Sequence, residues 1–235
     1  LRVGVIERSP IESLVAPEAK AALRKAVHFL EEIGCEVEPI GWPVDGVEVM
    51  KNYYLMNSVE TAAMMQGLEA SLGRALTKDD MELMTWGIYQ SGQHILAKDY
   101  SVALAKWDTY AHAMEKVHEK FDLILTPTVS DVAPLQTQFP MEESVRQALN
   151  HIEELSVPEQ QSVIWRMFDR TLALTPFTQL SNITGAPAIS LPVYLSDKGL
   201  PIGVQFMAPR GQEALLLQVA EWFEEQGQFE MRQFS

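Results

Sequence analysis

Ala188-Ile189-Ser190-Leu191 and, after Asp197-Lys198-Gly199, Ile202-Gly203-Val204-Gln205-Phe206 decide the fold class. The first segment is short, apolar and proline-bounded. In the second, Leu200, Ile202, Val204 and Phe206 fall on alternate positions and so share one face of a strand. Asp197-Lys198-Gly199 supplies turn chemistry between them, so the two segments read as an antiparallel hairpin. Upstream, Phe121-Asp122-Leu123-Ile124-Leu125, apolar but for Asp122 and ending at Thr126-Pro127-Thr128, reads as a buried strand. Its end places hydroxyls and free backbone at a sheet edge, where α/β proteins commonly build sites.

Working outward, Val3 to Ile6 opens the chain as a β-branched strand and Cys35 to Pro39 alternates as a half-exposed one. Between them Ala19, Ala22, Leu23, Ala26, Val27, Leu30 and Ile33 recur at helical spacing, with Pro17 at the start and Gly34 at the end. Residues 45 to 120 read as several helices, with a methionine-rich face at Met50, Met56, Met64, Met65, Met81 and Met84. A clear stripe runs through Tyr100, Ala103, Leu104, Trp107, Ala111, Met114 and Val117. Two more helices are expected from about 142 to 173 with Pro158 between them. A last helix through Leu216, Val219, Ala220 and Phe223 closes at Gly227. Strands alternating with helices, plus one hairpin, give the α/β class with a mixed β-sheet flanked by helices. His28 is expected to be a partly buried structural histidine, His112 and His118 to be solvated, and Cys35 to be a small core residue.

The 235 residues carry 18 Lys+Arg against 32 Asp+Glu, a net charge of −14. That balance argues against nucleic acid and against an anionic membrane as partners, since both need clustered positive charge. One cysteine excludes an internal disulfide, and the expected location is cytoplasmic. The five histidines show no metal-ligand spacing, so no metal is expected. Phosphate-cradling glycine loops and a Gly-x-Ser-x-Gly elbow are missing from the sequence, and no two glycines are adjacent. The Glu-Glu pairs at 31–32, 142–143, 153–154 and 224–225 read as solvated helix faces. Spacing alone therefore yields an acidic α/β chain with no complete active site. The strand-like run beginning at Leu1, with no initiator methionine, gives the expectation of a piece of something longer.

The run Asn182-Ile183-Thr184-Gly185-Ala186-Pro187-Ala188-Ile189-Ser190-Leu191-Pro192, followed by Gly199-Leu200-Pro201-Ile202-Gly203-Val204-Gln205, resembles the C-terminal landmark of the amidase signature family. Asp122 to Thr128 is similar to that family's Asp-apolar-apolar-apolar-Thr-Pro-Thr strand end. Leu1 to Val5 is similar to the strand that opens its C-terminal half. The resemblance implies hydrolysis of carboxamide carbon–nitrogen bonds by a Ser–cis-Ser–Lys triad, without a cofactor. The triad belongs to a Gly-Ser-rich N-terminal half that residues 1–235 do not match, so the chain is expected to hold no catalytic residue. It would be inactive alone, with the N-terminal half of the same enzyme as partner and a small-molecule amide as substrate. The same resemblance places Thr126, Thr128, Phe177, Gln179, Asn182 and Thr184 at the substrate pocket. Asn182 and Thr184 serving only a turn is the structural alternative. Trp86, in Glu82-Leu83-Met84-Thr85-Trp86, resembles a helix of amidases of the 6-aminohexanoate-cyclic-dimer hydrolase kind, where a cleft wall and plain core packing are both open. The resemblance leaves two further readings. One is the ammonia-releasing component of a glutaminyl-tRNA amidotransferase, in which an aspartate is implied where Thr175 stands. The other is a non-catalytic α/β binding or assembly module.

Overall fold

The computed structural model describes residues 1–230. Five strands form one mixed sheet in the order β2-β1-β3-β5-β4: β1 Arg2–Val5, β2 Glu36–Pro39, β3 Leu123–Pro127, β4 Ala188–Leu195 and β5 Pro201–Met207. β1 runs parallel to both β2 and β3, whereas β5 is antiparallel to β3 and to β4. The hairpin expected from the opening stretch is present. Gly199 takes the left-handed conformation in its turn and its N–H donates to Ser196 O. The helices are α1 Pro17–Glu32, α2 Gly46–Leu72, α3 Leu83–Gly92, α4 Ala97–His118, α5 Glu143–Asn150, α6 Val157–Leu174, α7 Gln179–Thr184 and α8 Glu213–Glu225. No helix among the described residues is long and apolar enough to cross a membrane.

The chain forms two compact units. The first takes 1–47, 108–136 and the chain from 172 onward; the second takes 48–107 and 137–171. The first holds the sheet. β3 is buried at every position because it lies in the middle of the order, which is why Leu123-Ile124-Leu125 is apolar throughout rather than alternating. α1 and α8 bury Leu23, Leu30, Leu216 and Val219 in the core with Val204 and Phe206 of β5. Phe223 sits between the layers of this core, edge-on to Phe29 at 4.5 Å and to Phe206 at 5.7 Å between ring centroids. Burial of each such ring stabilises the unit by about 1.5–3 kcal/mol. The second unit is helical, and the Tyr54 and Phe168 rings stack in it at 4.9 Å.

Three expectations need correction. Pro158 does not separate two helices: it sits in the first turn of α6, where a missing N–H costs nothing, and the break falls at a 3-10 turn over Ile152–Glu154. His28 is exposed and lies 3.2 Å from Glu32, one turn along α1. His118 is the partly buried histidine: its Nδ1–H donates to Phe121 O at 3.1 Å where the chain turns from α4 into β3. Cys35 is half-buried against the sheet core.

Candidate functional site

The first unit concentrates polar side chains where β3 ends. Thr126, fully buried, donates its hydroxyl to Pro127 O at 2.8 Å. Thr126 Oγ1 accepts from Gln205 Nε2 at 3.4 Å, and that nitrogen also donates to Phe177 O at 3.1 Å. Gln205 faces Thr126 across the β3–β5 ladder, so one buried amide ties two strands to the segment entering α7. One position on, the Thr128 N–H donates to Gly203 O at 3.1 Å, and the Thr128 and Ser190 hydroxyls share a hydrogen bond of 2.7 Å. Gly203 makes this pair possible, since a Cβ there would stand 2.6 Å from Ser190 Oγ and 3.1 Å from Thr128 Oγ1. Beyond Thr128 the loop is pinned at Ser130, whose N–H donates to Leu174 O and whose carbonyl accepts from Ala16 N–H, both at 2.8 Å.

α7 frames the other side. Gln179 donates Nε2 to Thr175 O at 2.7 Å, while its buried Oε1 has no protein partner. Thr184 bonds back to Leu180 O at 2.8 Å, the usual way a hydroxyl is accommodated inside a helix. Its carbonyl is clamped by Arg210 through Nε, at 2.7 Å, and Nη2. Gly185 then ends the helix in the left-handed conformation. Asn182 is exposed. The Phe177 ring is fully buried with Val15 and Ala19, tilted against Trp42 at 6.2 Å, so it is the Phe177 carbonyl that meets the site's polar network.

Thr126 and Phe177 are thus brought together through Gln205, and Gln179 and Thr184 lie on the short helix that follows Phe177. Trp86 belongs to the second unit, in α3, with its ring 5.6 Å from that of Tyr89 and Lys78 Nζ 6.0 Å above it. Ser190, Gly203, Gln205 and Arg210 were not singled out by sequence reasoning as site residues. Their partners lie 26 to 79 positions away and follow from strand register, which a single sequence does not carry.

Each hydroxyl of this region for which a bond has been given is spent on a carbonyl or on another hydroxyl. Thr126 bonds Pro127 O, Thr128 bonds Ser190, Ser181 bonds Thr178 O and Thr184 bonds Leu180 O. A serine or threonine becomes a nucleophile when a base takes its proton, and none of these bonds goes to a histidine or a lysine. Among the described residues no group of three or more His, Cys, Asp or Glu is arranged to hold a metal ion. The arrangement presents donors and acceptors on a rigid sheet end, with the Gln179 Oε1 acceptor unspent.

A model of the Amidase family matches residues 1–217. The lipoamidase of Enterococcus faecalis is 33% identical over 222 residues, covering 94% of this chain and 31% of that protein. The 6-aminohexanoate-cyclic-dimer hydrolase of Pseudomonas sp. (strain NK87) is 30% identical over 231 residues, covering 95% and 43% respectively. A solved structure of a 6-aminohexanoate cyclic dimer hydrolase complexed with substrate superimposes with a TM-score of 0.79 at 29% identity. It covers 96% of this chain and 45% of the solved one. The chain therefore spans less than half the length of these relatives.

Proposed function

Because the chain belongs to the amidase family, we propose that it is the C-terminal part of an enzyme hydrolysing the carbon–nitrogen bond of small or linear carboxamides. On this reading the Ser–cis-Ser–Lys triad comes from an N-terminal part of the same enzyme, and residues 1–235 supply cleft wall and sheet support. The bonding of the site hydroxyls carries this division of labour: those of Thr126, Thr128, Ser181 and Thr184 are each held by a carbonyl or by another hydroxyl, and none of the four meets a base. Gln179 Oε1, buried and unpartnered, is the natural acceptor for a substrate N–H. The Thr128–Ser190 pair, which shares one hydrogen bond between two hydroxyls, leaves a second donor for a ligand. Thr126 and the Phe177 carbonyl hold this end of β3 rigid through Gln205, while Asn182 and Thr184 continue the wall along α7. Thr175, with a hydroxyl in place of a carboxylate, favours the free amidase over an amidotransferase component that must hold an amino group.

The chain assayed alone against simple carboxamides should give no turnover. The same chain joined to the N-terminal part from its parent reading frame should hydrolyse them, and that part should contain a Gly-Ser-rich loop and a lysine. Turnover by the chain alone that is abolished by a serine-directed inhibitor would refute the proposal.

A further inference from the structure

The helical unit contains a cavity that the amidase reading does not use. It has a volume of about 400 Å³ and runs between α2 and α6, lined by Lys51, Tyr54 and Leu55 from one helix and by Pro158, Gln161 and Trp165 from the other. The spacing explains the groove: positions 51, 54 and 55 share one face of α2, and 158, 161 and 165 share one face of α6. Three of its walls are flat or ring-shaped. Tyr54, more than nine-tenths buried, meets Trp165 edge-on at 6.1 Å and is itself backed by Phe168 at 4.9 Å. Gln161 is held at one side, donating Nε2 to Ser91 Oγ at 2.6 Å and to Ser58 Oγ at 3.3 Å. Ser58 in turn donates to Tyr54 O at 2.8 Å, so the walls are preorganised by hydrogen bonds rather than by a ligand.

Lys51 is the one charged residue of this lining. Its ammonium lies 5.5 Å from the centroid of the Trp165 ring, and among the described residues it has no carboxylate partner. Neighbouring charges on the same helix are spoken for: Glu48 pairs with Lys106 at 2.6 Å. In a chain of net charge −14, an unpaired cation over an aromatic wall selects for an anion. The Tyr54 side of the cavity offers no charge to a ligand: burial above all, with Tyr53 and then Asp169 acting electrostatically, pushes the Tyr54 phenol above its ordinary value and keeps it neutral. A ligand's charge therefore belongs at Lys51 and its apolar body against Tyr54, Trp165 and Pro158.

We propose that this cavity is a binding site for a small aryl or arylalkyl carboxylate, with the carboxylate at Lys51 and the ring against the wall formed by Tyr54, Trp165 and Pro158. A volume of about 400 Å³ lies within the range of small-molecule sites, and an apolar lining with few polar groups is their usual make-up. The inference deepens the amidase reading, in which an acid is the product, but its test reads binding and not turnover. A failure here removes the pocket and leaves the amidase reading standing.

The test titrates the full chain with 3-phenylpropionate, 3-phenylpropanamide and 3-phenylpropylamine, following tryptophan fluorescence and calorimetric heat at low salt. The acid should bind saturably, the neutral amide about tenfold more weakly, and the amine not at all, as expected for a charge-assisted contact. Lys51→Met should erase the preference of acid over amide while leaving amide binding intact. Trp165→Leu should remove the fluorescence response, and circular dichroism of both variants checks that the helices persist. Equal binding of acid and amine, an unchanged preference in Lys51→Met, or no saturable binding of the acid would each overturn the proposal.

Discussion

Replacing Gln205 by leucine tests whether one buried amide holds the candidate site to the sheet. Gln205 is 4% exposed, and its Nε2 donates to Phe177 O at 3.1 Å and to Thr126 Oγ1 at 3.4 Å. Leucine keeps the volume and removes both donors. The Thr126 contact is long, and Thr126 keeps its bond to Pro127 O, so that loss is small. The Phe177 carbonyl loses its Gln205 donor inside the core, at a cost of about 1–3 kcal/mol. Burying an apolar side chain in place of an amide offsets roughly 1 kcal/mol of this. With the small Thr126 loss added, the net expectation for Gln205→Leu is about 0.5–2 kcal/mol of destabilisation.

For a chain of this length each kcal/mol moves the melting temperature by about 2–4 °C, so a fall of about 1–8 °C is expected. Gln205→Glu should be worse at pH 7, because it sets an acceptor against the Phe177 carbonyl and buries a charge. Its deficit should shrink on acidification: burial raises the folded pKa of the introduced carboxyl, so protonation favours the folded state and restores a donor. Urea unfolding followed by tryptophan fluorescence, with amide exchange across 177–184, measures all three chains. The reasoning fails if Gln205→Leu is as stable as the wild type with unchanged protection of α7. It fails equally if the glutamate variant is no worse than the leucine one at pH 7.

Gly203→Ala should cost about 1–2 kcal/mol by overpacking, since its Cβ would stand 2.6 Å from Ser190 Oγ and 3.3 Å from Leu191 O. Adding Ser190→Ala should recover more than half of that in a double-mutant cycle, and no recovery would show that the hydroxyl is not the obstacle. Gly92→Ala places a methyl into the Ser58 carbonyl, which cannot rotate away, and should cost about 3 kcal/mol or more. Gly67→Ala in exposed α2 meets nothing within 4 Å and should instead stabilise by about 1 kcal/mol. Equal melting temperatures for those two variants would refute the packing assigned to α3. His118 is held below its ordinary value by burial, so the unfolded chain binds a proton more readily than the folded one. Its contribution to stability is complete above the unfolded value of about 6.5 and is lost as the pH falls below it. His118→Asn should flatten the urea midpoint between pH 7.5 and pH 5, and an undiminished pH dependence would exclude this histidine as its source.

What was legible in the sequence follows from the range of the interactions involved. The α1 stripe, the hairpin turn at Asp197-Lys198-Gly199 and the apolar run of β3 are fixed by neighbours within a few positions, and they appear where periodicity puts them. His28 and His118 are interchanged relative to expectation. Both lie beside an apolar stripe, and only the packing of the last turn of α4 onto the start of β3 buries the second. The division into two units was hidden for a similar reason: it interleaves three segments with two, and no linker marks any crossing. The Thr128–Ser190 pair joins residues 62 apart in the chain, and only the β4–β5 register brings them together across Gly203.

The same register explains why the candidate site stands where it does. β2, β1 and β3 run parallel, and the direction reverses between β3 and β5, so the carboxyl end of β3 lies where parallel pairing gives way to antiparallel pairing. Chain leaving a parallel strand there must turn away while the neighbouring antiparallel strand arrives, and ligands in open α/β sheets favour such crevices. Here the departing Thr128 N–H is taken up by Gly203 of the arriving strand, and Gln205, two residues further on, reaches across to Thr126 and to the entry of α7. The polar groups at this end are consequently satisfied by the fold itself, with Gln179 Oε1 and Ser130 Oγ as buried exceptions. On the proposed reading, a site built this way would orient a substrate without activating a nucleophile. A base has to be brought to it, which is the requirement that the proposed N-terminal part meets.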